Sequence, residues 1–225
     1  MAVDAVIFDW GGTLTPWHVI DPDGPWSTVT ADRRAAVRLR VAEDEVWRRS
    51  RDEHRSASLA EVLDLAGHTA TEDDLARYHE WWDEHSLTDP QVGPMWQALR
   101  ERGIRVGVLS NTIWPRARHE QIFARDGVLE LIDGAVYSSE VPWTKPHPEA
   151  FRAALTAVDV ADPNRAVFVG DRLFDDVWGA AQIGLRTVYV PHSVIPTEQI
   201  GHSEGEPDAV ITQLSELVGV IDRWR

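Results

Sequence analysis

Three apolar runs in this sequence stop abruptly at a polar side chain: Ala5 to Phe8 at Asp9, Ile104 to Leu109 at Ser110, and Arg165 to Val169, through Gly170, at Asp171. Runs of this length bounded by glycine or small polar residues read as buried strands. In an open parallel sheet the reactive groups lie just past the carboxyl ends of the strands, so residues distant in sequence converge there. Lys145 stands in a proline-stiffened segment, Lys145-Pro-His-Pro148, ahead of a helix. Two carboxylates and a main-chain carbonyl make a hard oxygen site suited to Mg²⁺, which takes few protein ligands and keeps waters. A serine hydroxyl and a lysine ammonium beside it can hold phosphate oxygens.

The elements that must position these groups follow from periodicity. Further strands are expected at Gly134 to Tyr137, Arg186 to Val190 and Ala209 to Ile211, with helices at Met95 to Arg102, Pro115 to Arg125, Pro148 to Val158 and Asp176 to Ile183. Strands alternating with helices at this spacing mean parallel pairing. The expected fold is α/β, a Rossmann-like three-layer sandwich with a parallel sheet. Residues 16–88 interrupt it after the first strand and show no strand signal. There Pro16 to Pro25 reads as a loop. Thr30 and Ser58 read as N-caps, Gly67 as a helix stop, and Thr71 with Asp74 as a near capping box. The expected organisation is a core of residues 1–15 and 89–225 and a small all-α unit of residues 16–88.

Composition narrows the chemistry. The net charge of -15 argues against broad nucleic-acid binding, which needs basic surface to displace counterions. An anionic substrate must then be attracted locally, by a metal or a few placed cations. Lys145 is the one lysine among many arginines. With no cysteine there is neither a disulfide framework nor a thiolate metal site. No apolar run reaches the roughly 18–20 residues of a membrane span, and no leader pattern precedes the first strand, so a cytoplasmic location is expected.

Taken singly, Ser110 also reads as a turn residue, Asp171 as a helix cap and Asp176 as a complement to a helix N-terminus. Together and in order they resemble the haloacid dehalogenase superfamily. Asp9-Trp-Gly-Gly-Thr13 is similar to its first motif, Leu109-Ser110-Asn-Thr to its second, Lys145-Pro146 to its third, and Gly170-Asp171 with Asp175-Asp176 to its fourth. The resemblance covers the chain outside the insert, which it identifies as a cap. It implies a Mg²⁺-dependent hydrolase, a phosphatase of a small phosphorylated metabolite, acting as a monomer or homodimer. Asp9 would be the nucleophile, with Ser110 and Lys145 gripping the transferring group. Gly12, Thr13 and Asn111 would help hold the phosphate, and Asp9, the carbonyl of Gly11, Asp171 and Asp176 would hold Mg²⁺. Asp175 takes a position often held by Asn and is not counted among the ligands.

Gly11 departs from the pattern. Phosphatases of the family carry at that position an Asp that protonates the leaving oxygen and then activates water, and such acid–base help is typically worth about 10²–10⁴ in rate. Three readings compete. Another group, with His18 or Asp21 nearby, supplies the proton, or the leaving group is good enough to need little help. The chemistry is that of a phosphonate hydrolase or 2-haloacid dehalogenase, although the insert lacks the lysine of the former and the acidic fourth motif fits the latter poorly. The protein is catalytically impaired and binds Mg²⁺ and phosphate ligands. The arginines between Arg33 and Arg55 could bind a second anionic group, or pair with the interspersed acids on a solvated helix face. Of the 11 tryptophans, Trp10, Trp17, Trp114, Trp143 and Trp178 lie near a motif and could wall a pocket or pack the core. Exposed tryptophans in the insert would suit a dimer.

Overall fold

The computed structural model describes residues 2–192, 194–195 and 202–225. Its centre is β1 (Ala5–Phe8), every residue of which is buried. Parallel partners lie on both sides, β2 (Arg105–Ser110) and β4 (Ala166–Gly170), and the sheet continues outward to β3 (Gly134–Tyr137), β5 (Arg186–Tyr189) and β6 (Ala209–Val210). The order is β3-β2-β1-β4-β5-β6, all parallel. A strand flanked and covered on both faces must be apolar throughout, which is why Ala5 to Phe8 reads as an uninterrupted run.

Side chains alternate between the two faces. Val6, Phe8, Val106, Val108, Val167 and Val169 belong to one buried cluster, and Ala5, Ile7, Leu109, Ala166 and Phe168 to the other. Helix α7 (Pro148–Ala157) covers the second face through Ala150, Phe151, Ala154 and Leu155. The first face takes α5 (Val92–Glu101), α6 (Arg116–Arg125) and α8 (Leu217–Trp224), and is continuous with the four helices that follow β1.

Those four are α1 (Gly24–Val29), α2 (Arg33–Glu53), α3 (Leu59–Ala66) and α4 (Glu72–Asp83). Here α1 packs on α2 and α4, and α2 on α3. Ser58 caps α3 by accepting from the Glu61 amide, Gly67 ends it in the left-handed conformation, and Thr71 forms with Asp74 a complete capping box. Three expectations shift. Helix α1 begins inside the segment read as a loop. Pro25 occupies its first turn, and Trp26, fully buried, donates to Glu43 at 2.7 Å, so tertiary burial supplies what six residues lack in periodicity. The cap of α2 is Asp32, whose side chain accepts from the Arg34 amide, and not Thr30. Pro115 likewise is the N-cap of α6 and not a first-turn residue.

Three arginines of α2 pair with acids: Arg40 with Asp23 and Asp44, Arg48 with Glu45 and Asp52, and Arg49 with Glu45 and Glu61. The tryptophans of residues 16–88 are not the exposed ones. Trp26 is buried and Trp47, Trp81 and Trp82 are half-buried, whereas Trp143 and Trp178 are the more exposed. Among the described residues no helix is long and apolar enough to cross a membrane.

Candidate active site

The register of the sheet brings the strand ends together. Phe8 pairs with Val108 on one side and Val169 on the other, and the Asp9 amide donates to the Val169 carbonyl at 2.9 Å. Asp9, Ser110 and Asp171 therefore share the carboxyl edge of three adjacent strands, and all three are buried.

Asp176 arrives by a different route. The segment Leu173–Trp178 is a π-helical turn that begins three residues before the helix expected from Asp176 to Ile183. The amides of Asp176 and Val177 both reach the Arg172 carbonyl at 3.2 Å, while Asp176 Oδ2 accepts from the Arg172 amide at 2.9 Å. This wide turn folds Asp176 back over the strand end, and π turns recur at functional sites for this reason. The approach requires Gly170, since a Cβ there would lie 2.3 Å from the Asp176 carboxyl carbon. Asp9, Asp171 and Asp176 each offer an oxygen within 4.8 Å of the others.

Lys145 lies within this acidic group. Its Nζ is 2.5 Å from Asp9 Oδ1 and 2.7 Å from Asp176 Oδ1, and its side chain is buried. Burial alone would lower the pKa of the ammonium, but Asp176 and Asp9 outweigh it and raise the value, so Lys145 is charged. Asp171 is raised well above the usual carboxylate range, first by burial and then by Asp9 and Asp176. Asp176 is raised too, by burial against the opposing pull of Lys145. One ammonium does not balance three buried carboxylates. Asp171 Oδ1 is buried and has no hydrogen-bond partner among the described residues. Three carboxylates, the excess negative charge and this orphan oxygen fit a hard divalent cation.

The turn after Asp9 closes on itself. Gly12 donates to the Thr15 carbonyl at 2.7 Å, and the Thr13 amide to Trp10 at 3.3 Å. The amides of Gly12 and Thr13 thus serve the turn, and Thr13 meets Asp9 instead through its hydroxyl, 3.2 Å from Oδ2. Gly12 has φ +88°, where only glycine is comfortable. Asn111 also acts sideways. Its Oδ1 accepts from the Lys145 amide at 2.8 Å and its Nδ2 donates to the Lys145 carbonyl at 3.0 Å, fixing the main chain that carries the ammonium.

Of the nearby candidates for a proton donor, His18 and Asp21 are both exposed, and His18 faces His85 with ring centroids 5.5 Å apart. Trp10 and Trp114 pack in the core, 5.6 Å apart, and Trp143 stacks on His147 at 4.1 Å. Trp17 is the tryptophan at the cluster, donating to Asp171 Oδ2 at 2.7 Å.

A doubly wound parallel sheet with a carboxylate–lysine centre on its carboxyl edge defines a Rossmann-like α/β protein of the strand-end-site type. More specifically, the chain belongs to the haloacid dehalogenase-like hydrolase family, which residues 3–184 match. A glyceraldehyde 3-phosphate phosphatase of Methanopyrus kandleri is 25% identical over 229 residues, covering 97% of each chain. The structure of a HAD phosphatase from Thermococcus onnurineus superposes with a TM-score of 0.70 at 23% identity, over 97% of this chain and 98% of that one. An L-2-haloacid dehalogenase from Xanthobacter autotrophicus gives 0.67 at 17% identity, over 98% of both. Phosphatase and dehalogenase share this fold, so the chemistry has to be argued from the site.

Proposed function

We propose that the chain is a Mg²⁺-dependent phosphatase of a small phosphorylated metabolite, working through an aspartyl-phosphate on Asp9. The observation that carries this is the triad of buried carboxylates sharing one lysine at the strand ends, with the orphan Asp171 Oδ1 among them. A halide-displacing aspartate needs no cation, whereas two further carboxylates held in excess of their counter-charge suit one. The phosphatase-named relative of full length supports the same reading.

In this proposal Asp9, Asp171, Asp176 and the Gly11 carbonyl would hold Mg²⁺, which would supply positive charge against the phosphoryl oxygens. Lys145 keeps Asp9 oriented and, with Ser110, grips the transferring group. Asp9 attacks phosphorus and the bond to the leaving oxygen breaks, splitting one hard displacement into two easier ones. Thr13 steadies the Asp9 carboxylate through its hydroxyl, and Asn111 steadies Lys145. Residues 16–88 act as the cap that covers the site and meets the leaving group. Gly11 contributes no proton, so the leaving group departs with help from elsewhere or with none.

Phosphate release from a panel of acyl, sugar and alkyl phosphates, with and without Mg²⁺, tests this. Wild type is expected to release phosphate from at least one of them in a Mg²⁺-dependent way, and Asp9→Asn to fall to background. Halide release from 2-haloacids without Mg²⁺, or full activity in Asp9→Asn, would overturn it. Metal binding without turnover of any ester would leave the catalytically impaired reading, which rests on Gly11.

A further inference from the structure

Trp17 touches the cluster from the loop between β1 and α1, and this contact joins residues 154 positions apart. Its indole N–H donates to Asp171 Oδ2 at 2.7 Å. The same ring lies against both glycines of the turn. A Cβ on Gly11 would stand 3.8 Å from Trp17 Cη2, and one on Gly12 would fall 2.1 Å from Nε1 and 2.2 Å from Asp171 Oδ2. The Arg172 guanidinium sits over the indole, 5.2 Å from a ring centroid. The tryptophan is therefore clamped between the loop after Asp9 and the loop after β4, and the bare backbone of Gly12 makes room for it.

The consequence falls on Asp171. A carboxylate is two-fold about its last torsion, so a buried one with neither oxygen held can present either. Here the indole holds Oδ2, while Oδ1, itself buried, has no partner among the described residues. We propose that Trp17 is a positioning residue for the divalent cation: by holding Asp171 Oδ2 it commits Oδ1 to the ion, together with Asp9 and Asp176. This rests on the Mg²⁺ reading above. Hydrogen bonds of this outer kind are typically worth about 10–100-fold in metal affinity.

Trp17→Phe keeps the ring and removes the donor. The test is calorimetric titration of the full chain with Mg²⁺ and with Mn²⁺, without substrate, alongside phosphate release against Mg²⁺ concentration. The expected result is a dissociation constant raised about 10–100-fold, with kcat at saturating Mg²⁺ within about threefold of wild type. A general loss of structure would instead lower kcat together with the number of ions bound per chain, and would overturn the positioning role. Equal affinity in wild type and Trp17→Phe overturns the role of Trp17 and leaves the phosphatase reading standing. A wild type that binds neither ion overturns both. Should Trp17→Phe fail to fold, the Trp17 indole N–H resonance of wild type decides. It is expected to be protected from exchange and to shift on Mg²⁺ addition, and no shift at saturation overturns the proposal.

Discussion

Lys145 Nζ lies 2.5 Å from Asp9 Oδ1, an ammonium–carboxylate contact buried at the strand ends. The same nitrogen reaches Asp176 Oδ1 at 2.7 Å, so one charge restrains two carboxylates. Removing one partner of a buried pair costs about 3–5 kcal/mol, because the other charge is left uncompensated. Lys145→Met should lose stability on that scale in urea unfolding without metal, and Mg²⁺ should restore a larger share of it than it adds to wild type. A variant as stable as wild type, or one indifferent to Mg²⁺, would contradict the charge balance described for the site.

The two glycines after Asp9 predict opposite outcomes. At Gly11 a Cβ meets nothing closer among the described residues than Trp17 Cη2 at 3.8 Å, an ordinary contact. At Gly12 it meets Trp17 and Asp171 at 2.1 and 2.2 Å, in a backbone with φ +88°. Gly11→Ala should therefore melt within about 2 °C of wild type, as surface-like changes stay within about ±0.5 kcal/mol. Gly12→Ala should lose at least about 2 kcal/mol, from left-handed strain and displaced neighbours together. Similar melting points for the two would refute this geometry. Gly11→Asp should fold, and phosphate release from alkyl esters should rise by about tenfold or more if its carboxyl reaches the leaving oxygen.

Much of this was legible in the sequence, for identifiable reasons. Asp9, Ser110 and Asp171 could be placed on one edge because each ends an apolar run, and parallel pairing aligns such ends. Thr71, Ser58 and Gly67 announce helix boundaries through chemistry confined to a few residues. What escaped depends on contacts across the chain. Trp26 is fixed by Glu43 and by burial, so α1 carries no periodic signal of its own. Trp17 meets Asp171 and Asn111 meets the Lys145 main chain only after the loops are folded. The π turn at Leu173–Trp178 has no simple residue signature, although Gly170, which makes room for Asp176, was visible as the glycine before the acid.

Asn111 makes a prediction about placement without contact to the reaction. Its amide satisfies both the N–H and the carbonyl of Lys145. Buried main-chain groups left unpaired cost about 1–3 kcal/mol. Asn111→Ala should destabilise the protein by about that amount and lower kcat more than it alters Mg²⁺ affinity, since the displaced group is the lysine and not an oxygen ligand. Kinetics at varied Mg²⁺ check it. Unchanged kcat would mean that Lys145 is positioned by its carboxylate partners alone.

His119 makes the stability of the protein depend on pH. The ring is fully buried, with Nε2 3.0 Å from Thr112 Oγ1, a stacked Tyr137 at 4.4 Å and the edge of Trp10 at 4.6 Å. Burial, reinforced by Arg118, Arg116 and His79, lowers its pKa to about 3. His79 is lowered to about 4 by burial and then by Arg118. Unfolded imidazoles take their proton near 6.5, so between that value and the folded one the unfolded state binds more protons, and stability falls as pH falls. The stabilisation from the neutral ring is complete above about 6.5. It declines by up to about 1.4 kcal/mol per pH unit for each histidine once pH is well below that. Asp171 and Asp176, raised in the folded state, act in the opposite sense. Their folded forms take a proton first, and this adds stability as pH falls. A difference between two proteins that share those carboxylates removes their contribution. Urea unfolding of wild type and His119→Phe at pH 7.5, 6, 5 and 4.5 should give stability curves that approach one another as the solution is acidified, or cross. Parallel curves would show that the His119 ring takes a proton inside the folded protein as readily as outside it.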